Sequence, residues 1–402
     1  MRLVPFDHAD LRPGEPLPVP LHDGSGRLLA AAGAVLRAGD QFALLGGRSL
    51  YTDPRAASEW KRRVAAAMDA KLRQNALLKD VVAARPDAAG GTRSLDELPL
   101  APACEEAVAE LHGVLRAATQ APGADWPQRL LAHGRQARAL LARRPDASLY
   151  LLVQRAGELS EQHCAHHAML ALAVCELAAP LFGWPDEGAF GLACAALAMN
   201  VAVQPLHDQL AASERDPSAA MQALLATHAA DGAVLLERLG LHDRWALEIV
   251  ARHHELPAPG LPLASLPVAQ QMAALLARVD RLCTAIVRSA RHEPVAPAQA
   301  MRDACLGAAG TPDEIGAALL RALGVFPPGS FVELAGGELG VVVARGRRAN
   351  LPYVATLIGA GGMPLGVPAL RDTTERRYAV KTAVAATRVR IRPPHERLIA
   401  MR

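Results

Sequence analysis

A long stretch of helical sequence, residues 148–325, constrains the fold of this chain more than any other feature. Apolar residues recur along it, and short breaks at residues 180–185 and 257–267 contain proline and glycine. This pattern predicts about seven helices with short connections, as in an all-α domain. Aromatic residues make up only 3% of the chain, so the core must be built mainly from Ala, Leu and Val, which favours closely packed helices.

Two regions of different character flank the helical stretch. Near the N-terminus, the turn sequence Asp23-Gly24-Ser25-Gly26 lies between apolar runs and predicts a β-hairpin, and Gly46-Gly47 predicts a second turn. After Pro328, short apolar runs predict strands over residues 331–334, 339–344, 353–358 and 379–384. The predicted fold class is therefore α+β: mainly an all-α helical bundle, flanked by a small N-terminal β module and a short C-terminal β unit.

The changes in composition also predict domain boundaries. We expect a small β module over residues 1–55 and a helical connector over 56–146, with a loop near 86–100. The α-helical domain then covers 147–328 and the C-terminal β unit 329–402. Within the connector, helices are predicted near 103–119 and 126–143, and the cluster from Pro145 to Ser148 is predicted to cap the helix that follows.

Charge and cysteine content narrow the function classes. The formal charge of +3 is small for 402 residues and gives no support for a nucleic-acid-binding surface. The longest apolar run, 191–203, is shorter than the ~20 residues that span a bilayer, and residues 1–10 lack an apolar signal core. Six cysteines without a C-x-x-C pair are typical of reduced core residues. We expect a cytoplasmic protein that is not inserted in a membrane.

Histidine and aspartate residues scattered through the helical stretch are the candidate chemical groups. His163, His166 and His167 share one predicted helix, whereas His228 is predicted to open another. The pair His253-His254 ends a third helix, and Asp280 lies among apolar neighbours, where a carboxylate is costly unless it is paired or bound to metal. Such side chains, projecting from several helices, can hold divalent ions, although histidines on apolar helices are more often hydrogen-bonded core residues.

Five segments, taken in order, resemble HD-GYP domains, a bacterial family whose active members hydrolyse cyclic di-GMP. They are HCAHHAMLAL (163–172), HAADGAVLL (228–236), HHE (253–255), RVDRL (278–282) and LGVFPPGSFVEL (323–334). The resemblance covers residues 150–390 well and the N-terminal β module loosely. It implies an HD-like helical bundle and a metal site with the ligands His163, His228, His253, His254 and Asp280.

The chain departs from that family at its defining motifs. The H-D-x-G-K signature aligns with Met199-Asn200-Val201-Ala202-Val203, so that Met199 replaces a histidine ligand, Asn200 an aspartate that bridges two metals, and Val203 a lysine. A neutral amide cannot bridge two cations as a carboxylate does, and a thioether suits soft metals. The loop that follows H-H-E in the family, D-G-x-G-Y-P, is shorter here and ends in Gly260-Leu261-Pro262, a weak candidate for ligand binding.

Three interpretations of the surviving residues stay open at this point. The site could hold one divalent ion (Fe, Mn or Zn), most plausibly through His228, His253 and His254, or the same residues could be inherited and hold no ion. A third interpretation completes the site with new ligands, for which His166, His167, His207 and Asp208 are candidates. By the resemblance, the positions of His166 and His167 are structural.

Two functions of different classes follow from these interpretations. The first is a catalytically inactive HD-GYP-like protein that acts in bacterial signalling related to cyclic di-GMP, as a sensor or scaffold. Its partner would be a signalling protein or cyclic di-GMP itself, and a homodimer is possible by base rate. The alternative is an active metal-dependent phosphodiesterase for cyclic di-GMP, or another phosphohydrolase, with an altered metal site.

Overall fold

The computed structural model divides the chain into two compact units, Met1–Arg93 and Ser94–Arg402. The residues that the structure describes are 3–11, 17–30, 34, 49–54, 98–120, 122–258, 260–307, 310–389 and 391–402, with isolated positions at 56, 57, 60, 61, 64, 68, 79 and 95. The predicted Gly46-Gly47 turn, most of residues 56–85 of the predicted helical connector and most of the predicted loop near 86–100 lie outside them.

The first unit contains a small antiparallel sheet with the strand order β1-β4-β2-β3. Its strands are β1 (Val4–Phe6), β2 (Leu21–His22), β3 (Leu28–Ala30) and β4 (Leu50–Thr52). The predicted hairpin is confirmed: β2 pairs with β3, and the Asp23 carboxylate accepts hydrogen bonds from the backbone N–H groups of Ser25 and Arg27 across the turn. Gly26 has φ of +86°, which explains the glycine at this position.

The described helices of the second unit form one bundle. Along the chain they are α1 (Leu100–Gln120), α2 (Trp126–Arg143), α3 (Pro145–Ala156), α4 (His163–Ala178), α5 (Asp186–Ala198), α6 (Gln204–Ala211), α7 (Ala219–Arg238), α8 (Arg244–Arg252), α9 (Val268–Ile286), α10 (Pro297–Ala304), α11 (Glu314–Leu323) and α12 (His395–Ile399). The predicted cap at residues 145–148 is corrected. Helix α3 begins at Pro145, its N-cap Arg144 makes no side-chain cap bond, and Ser148 is buried inside the helix.

The C-terminal part of the second unit adds an antiparallel sheet with the order β8-β7-β6-β5-β9. Its strands are β5 (Phe331–Leu334), β6 (Leu339–Ala344), β7 (Tyr353–Ile358), β8 (Pro364–Asp372) and β9 (Val380–Ala383). Three strands have the predicted bounds and β9 is close to them. Strand β8 was not predicted, because two prolines and a glycine interrupt its apolar pattern; it lies at the edge of the sheet, where proline is tolerated.

One hydrophobic core runs through the second unit. It contains Leu111 and Trp126 from the predicted connector, Leu172 from the predicted helical domain, and Val341 from the C-terminal sheet, all fully buried. The core of the second unit thus continues across residues 146 and 328, the positions where the composition changes. The fold class is as predicted, α+β, with a helical bundle and two small antiparallel sheets. All six cysteines are free, and all except Cys305 are buried.

Three helical segments are long and apolar enough, by length and composition, to cross a membrane: His163–Phe182, Asp186–Ala211 and Ala219–Arg238. This corrects the estimate from apolar runs, because the second segment continues through the 3-10 turn Val201–Val203 into α6. The most apolar windows of the first two are 67% and 72% buried inside the bundle, as expected for core helices. That of the third is only 17% buried.

Candidate metal site

Helix α7 brings His228 to the site. The helix begins at Ala219 after the N-cap Ser218, whose hydroxyl accepts a hydrogen bond from the Met221 N–H, so His228 lies in the middle of the helix rather than opening it. His228 is buried, although most of α7 faces outward.

Helix α8 positions the adjacent pair His253 and His254. The Asp243 carboxylate caps the helix by accepting hydrogen bonds from the N–H groups of Trp245 and Ala246. The helix ends at Arg252, so His253 is its C-cap and His254 the next residue. His253 is fully buried, whereas the side chain of His254 is 51% exposed.

The three histidines form a compact group. One ring nitrogen from each of His228, His253 and His254 lies within 4.8 Å of the others. The Nε2 atoms of His228 and His254 are 3.2 Å apart. Nitrogens that share a tetrahedral ion at ~2.1 Å lie about 3.4 Å from one another, so the group needs only a small closure to hold one ion.

Backbone hydrogen bonds orient two of these rings. The Nδ1–H of His228 donates to the Leu225 carbonyl at 2.6 Å, and the Nδ1–H of His253 donates to the Val250 carbonyl at 2.7 Å. Each bond leaves Nε2 as the nitrogen with the lone pair. The Nε2 of His228 accepts a hydrogen bond from His254 Nε2 at 3.2 Å, whereas the buried Nε2 of His253 has no hydrogen-bond partner among the described residues. An unpartnered buried nitrogen is costly, and a metal ion would satisfy it, so the donor set fits a transition metal such as zinc or iron.

Asp280 lies beside the group and does not join it. Its Oδ1 accepts a hydrogen bond from His167 Nε2 at 2.8 Å, and its Oδ2 is 4.0 Å from His254 Nδ1. Burial alone would raise the pKa of Asp280, but the His167 hydrogen bond and the nearby His253 and His254 lower it to about 2. The carboxylate is therefore ionised at neutral pH and supplies negative charge next to the triad of His228, His253 and His254.

Two further histidines contribute to the same polar region. Burial lowers the pKa of His163 to about 4, with a contribution from His167, and its buried Nδ1 has no partner among the described residues. Burial also lowers the pKa of His207 to about 3, with contributions from His167 and His163 and an opposing one from Asp280. Neither ring joins the group of three ligand atoms. The role of His163 as a metal ligand therefore stays a prediction.

Burial favours neutral ligands in the triad itself. It lowers the pKa of His253 to about 4 and also lowers that of His254. Neutral imidazole is the form that binds metal, since a proton and a metal ion compete for the same lone pair. These two rings are therefore ready to bind a cation at neutral pH.

The segment 199–203 is packed as core. Met199 is fully buried, Val203 is buried, and Asn200 is 4% exposed with its Nδ2 unpartnered among the described residues. The Met199 carbonyl lies next to Gly232, one turn beyond His228 on α7. These side chains supply neither an imidazole nor a carboxylate here, in agreement with the sequence substitutions.

The loop after His254 does not form an enclosed site. Gly260 has φ of +79°, and Leu261 is 44% exposed. Leu261 lines a shallow cavity together with Arg252, Glu255 and other residues of the loop and of α9. Gly260 and Pro262 do not line that cavity, so their role in ligand binding stays a prediction.

Of the four new ligands considered from sequence, none joins the triad. His166 is buried with both ring nitrogens unpartnered among the described residues, and burial lowers its pKa to about 3. Asp208 lies beyond the end of α5, within α6, and its carboxylate accepts a hydrogen bond from the Cys164 N–H at the start of α4. His167 instead donates a hydrogen bond to Asp280, a pairing that the sequence did not predict.

No family model and no curated protein matches this chain. Among solved structures, the chain is similar to Bd1817, a HDG"Y"P protein from Bdellovibrio bacteriovorus, at 13% identity and a TM-score of 0.45. The match covers 79% of this chain and 98% of that one.

Proposed function

We propose that this protein is a degenerate HD-GYP-like domain that binds one divalent metal ion and serves in signalling as a sensor or scaffold rather than as a hydrolase. The observation that supports it best is the convergence of His228, His253 and His254, whose ligand nitrogens lie within 4.8 Å of one another. This group can hold one ion by itself. We infer a cytoplasmic location and a signalling protein or cyclic di-GMP as the partner.

The expected loss of hydrolysis follows from Met199 and Asn200, the positions that align with the H-D pair. Hydrolysis at a paired metal centre needs a carboxylate that bridges two ions and holds a hydroxide between them. The bridging position is Asn200, an amide without charge, and the adjacent Met199 is fully buried in the core. A single bound ion would polarise an oxygen ligand, while the segment 199–203 offers no carboxylate as a bridge to a second ion.

A specific observation favours one alternative. Asp280 and His167 form a buried pair at 2.8 Å next to the triad, and His207 lies close to both. If these residues rearranged around a second cation, the chain would be an altered phosphohydrolase. In the structure, however, they fall outside the group of mutually close ligand atoms.

Metal content and turnover, measured on the same preparation, test the proposal. Protein purified without chelator is analysed by elemental mass spectrometry, and hydrolysis of cyclic di-GMP and of bis(p-nitrophenyl) phosphate is assayed with added Mn²⁺ and Fe²⁺. We expect about one ion per chain and no turnover above that of a His228→Ala/His254→Ala double variant. Two ions per chain, with turnover that His254→Ala abolishes, would establish the phosphohydrolase instead.

Binding of cyclic di-GMP is measured separately by calorimetry. Saturable binding without turnover would identify the protein as a sensor. Absence of binding, with one metal ion bound, would leave the scaffold role.

A further inference from the structure

We propose that Asp280 is a positioning residue that orients His254 from outside the metal shell, and that His167 holds Asp280 in this position. The resemblance to HD-GYP domains implies the opposite role for Asp280, that of a direct ligand. The inference rests on the proposed metal-binding function and assigns a role to His167, for which the sequence motifs give none.

The two oxygens of Asp280 point to different partners. Oδ1 accepts the hydrogen bond from His167 Nε2 at 2.8 Å, between side chains that are 13% and 4% exposed. Oδ2 lies 4.0 Å from Nδ1 of His254. The bond from His167 thus fixes the carboxylate so that its second oxygen faces the ring edge opposite to the His254 Nε2.

This arrangement gives all three histidines the same pattern. His228 and His253 each have Nδ1 bonded to a backbone carbonyl three residues earlier, which leaves Nε2 for the ion. His254 lies beyond the end of α8 and has no such carbonyl bond among the described residues; its Nε2 donates instead to His228 Nε2. When an ion binds at this Nε2, the ring carries its proton on Nδ1, which then needs an acceptor. Asp280 Oδ2 is the acceptor in reach once the ring moves by about 1 Å. A carboxylate on the far nitrogen of a ligating histidine fixes the tautomer and raises ligand basicity.

The neighbouring His166 provides a natural contrast with His167. Both are buried on α4, but both ring nitrogens of His166 are unpartnered among the described residues. His166 therefore does not act on the triad through a hydrogen bond. Its replacement removes a buried imidazole of the same size and leaves the contact between His167 and Asp280 in place.

The two possible roles of Asp280 make opposite predictions for removal of His167. If Asp280 is a positioning residue, His167→Leu releases the carboxylate, His254 loses its orientation, and metal affinity falls. If Asp280 is a direct ligand, the same substitution frees its Oδ1 for the ion, and affinity stays equal or rises.

The experiment titrates the full chain with Co²⁺ in competition with a chelating dye and records the visible absorption bands of the bound ion. We compare wild type with His167→Leu, His167→Gln and, as matched control, His166→Leu. We expect His167→Leu to weaken Co²⁺ binding ~10- to 100-fold and to shift the bands, as is typical when a partner of a ligand is lost. Because the Gln amide can still donate to Asp280, His167→Gln should recover part of the affinity, and His166→Leu should leave affinity and bands unchanged.

Circular dichroism and melting of the metal-free variants show that they fold. If His167→Leu does not fold, Asp280→Asn replaces it: a positioning role predicts weaker binding with unchanged coordination number in the Co²⁺ spectrum, whereas a ligand role predicts a lower number. Unchanged or tighter binding by His167→Leu would overturn the inference and leave the metal site standing. Absence of Co²⁺ binding by wild type would overturn the proposed function and this inference with it.

Discussion

Two regions that the sequence motifs place at one metal site differ sharply in the structure. The triad of His228, His253 and His254 keeps its ligand nitrogens together, with backbone carbonyls orienting two of the rings. The segment 199–203 is instead packed as apolar core, with Met199 fully buried. Ligands need partners on their far nitrogens to stay in place, whereas a position that has lost its ligand needs only to fill space. The comparison indicates that hydrogen bonds keep the ring nitrogens of the triad in place, whereas the segment 199–203 is held by close packing.

Loss of one triad histidine should have the largest effect. His254→Ala removes a ligand whose side chain is 51% exposed, so the fold should tolerate it. Structural zinc binding of 10–16 kcal/mol over four ligands corresponds to roughly 2.5–4 kcal/mol per ligand, or a fall in affinity of about 60- to 700-fold. Competition titration with Zn²⁺ measures it.

The matched control is His242→Ala, an exposed histidine just before α8. Its Zn²⁺ affinity should equal that of wild type. Equal affinities for His254→Ala and wild type would mean that the ion binds elsewhere or not at all.

The second prediction tests whether the segment 199–203 is closed to water. Asn200 is 4% exposed, and its Nδ2 is unpartnered among the described residues. Asn200→Asp has the same shape but buries a carboxylate, which should lower the free energy of unfolding by about 3 kcal/mol in metal-free protein. Urea denaturation at pH 7 measures the change.

Asn200→Leu serves as its counterpart, because it removes the unpartnered amide without adding charge. We expect its stability to lie within about 1 kcal/mol of wild type. If Asn200→Asp is as stable as wild type, water or a cation reaches this position, and the contrast between the two regions disappears.

The sequence predicted which residues form the triad, but not the contacts that hold the site together. The ligand pair His253-His254 is contiguous, and His228 lies in a recognisable segment, so motif order was enough to group them. Motif order did not predict where His228 lies within its helix. Helix α7 starts nine residues before His228, and this start depends on the local cap at Ser218. The pairing of His167 with Asp280 joins residues 113 positions apart, and no local pattern specifies which of two adjacent histidines faces the carboxylate.

The fold shows where periodicity works and where it fails. Strands with continuous apolar runs, such as Leu339–Ala344, were predicted with correct bounds. Strand β8 (Pro364–Asp372) was missed, because its pairing with β7 rather than its own composition makes it a strand. Composition also could not predict that a common core continues across residues 146 and 328, since this depends on long-range packing.

The third prediction concerns the contact that holds α8, and with it the two adjacent ligands, in place. A Cβ on Gly191 of α5 would lie 2.4 Å from Trp245 Cβ and 3.2 Å from the Ala246 nitrogen. Gly191→Ala must therefore displace α8, and we expect a loss of about 2 kcal/mol in unfolding free energy together with weaker metal binding. Urea denaturation and Zn²⁺ titration measure the two effects.

Gly232→Ala provides the comparison on α7. Its Cβ would lie 3.4 Å from Val250 Cγ1, with the other neighbours farther away, so the fit needs only a small adjustment. The gain of up to ~1 kcal/mol in helix propensity should offset that adjustment, which leaves stability near that of wild type. A larger loss for Gly232→Ala than for Gly191→Ala would show that the ligand-bearing helices are held mainly through α7.

The smallest predicted effect concerns the pH dependence of stability, and it tests His166, a buried histidine outside the triad. Burial lowers the pKa of His166 to about 3, from 6.5 in an unfolded chain, with smaller contributions from His163, Arg155 and His167. Between these two values the unfolded chain binds a proton that the folded protein does not, so stability falls as pH drops from about 6.5 toward 3. One such group contributes a slope of about 1.4 kcal/mol of unfolding free energy per pH unit near pH 5.

Denaturation series at pH 7, 6 and 5 measure this slope. It should be shallower by this amount in His166→Leu. It should be unchanged in the control Met169→Leu, which alters packing on the same helix without removing a titrating group. Equal slopes in wild type and His166→Leu would mean that the ring is protonated or hydrated in the folded protein, and the polar region around the triad would then extend further into α4 than the unpartnered nitrogens of His166 indicate.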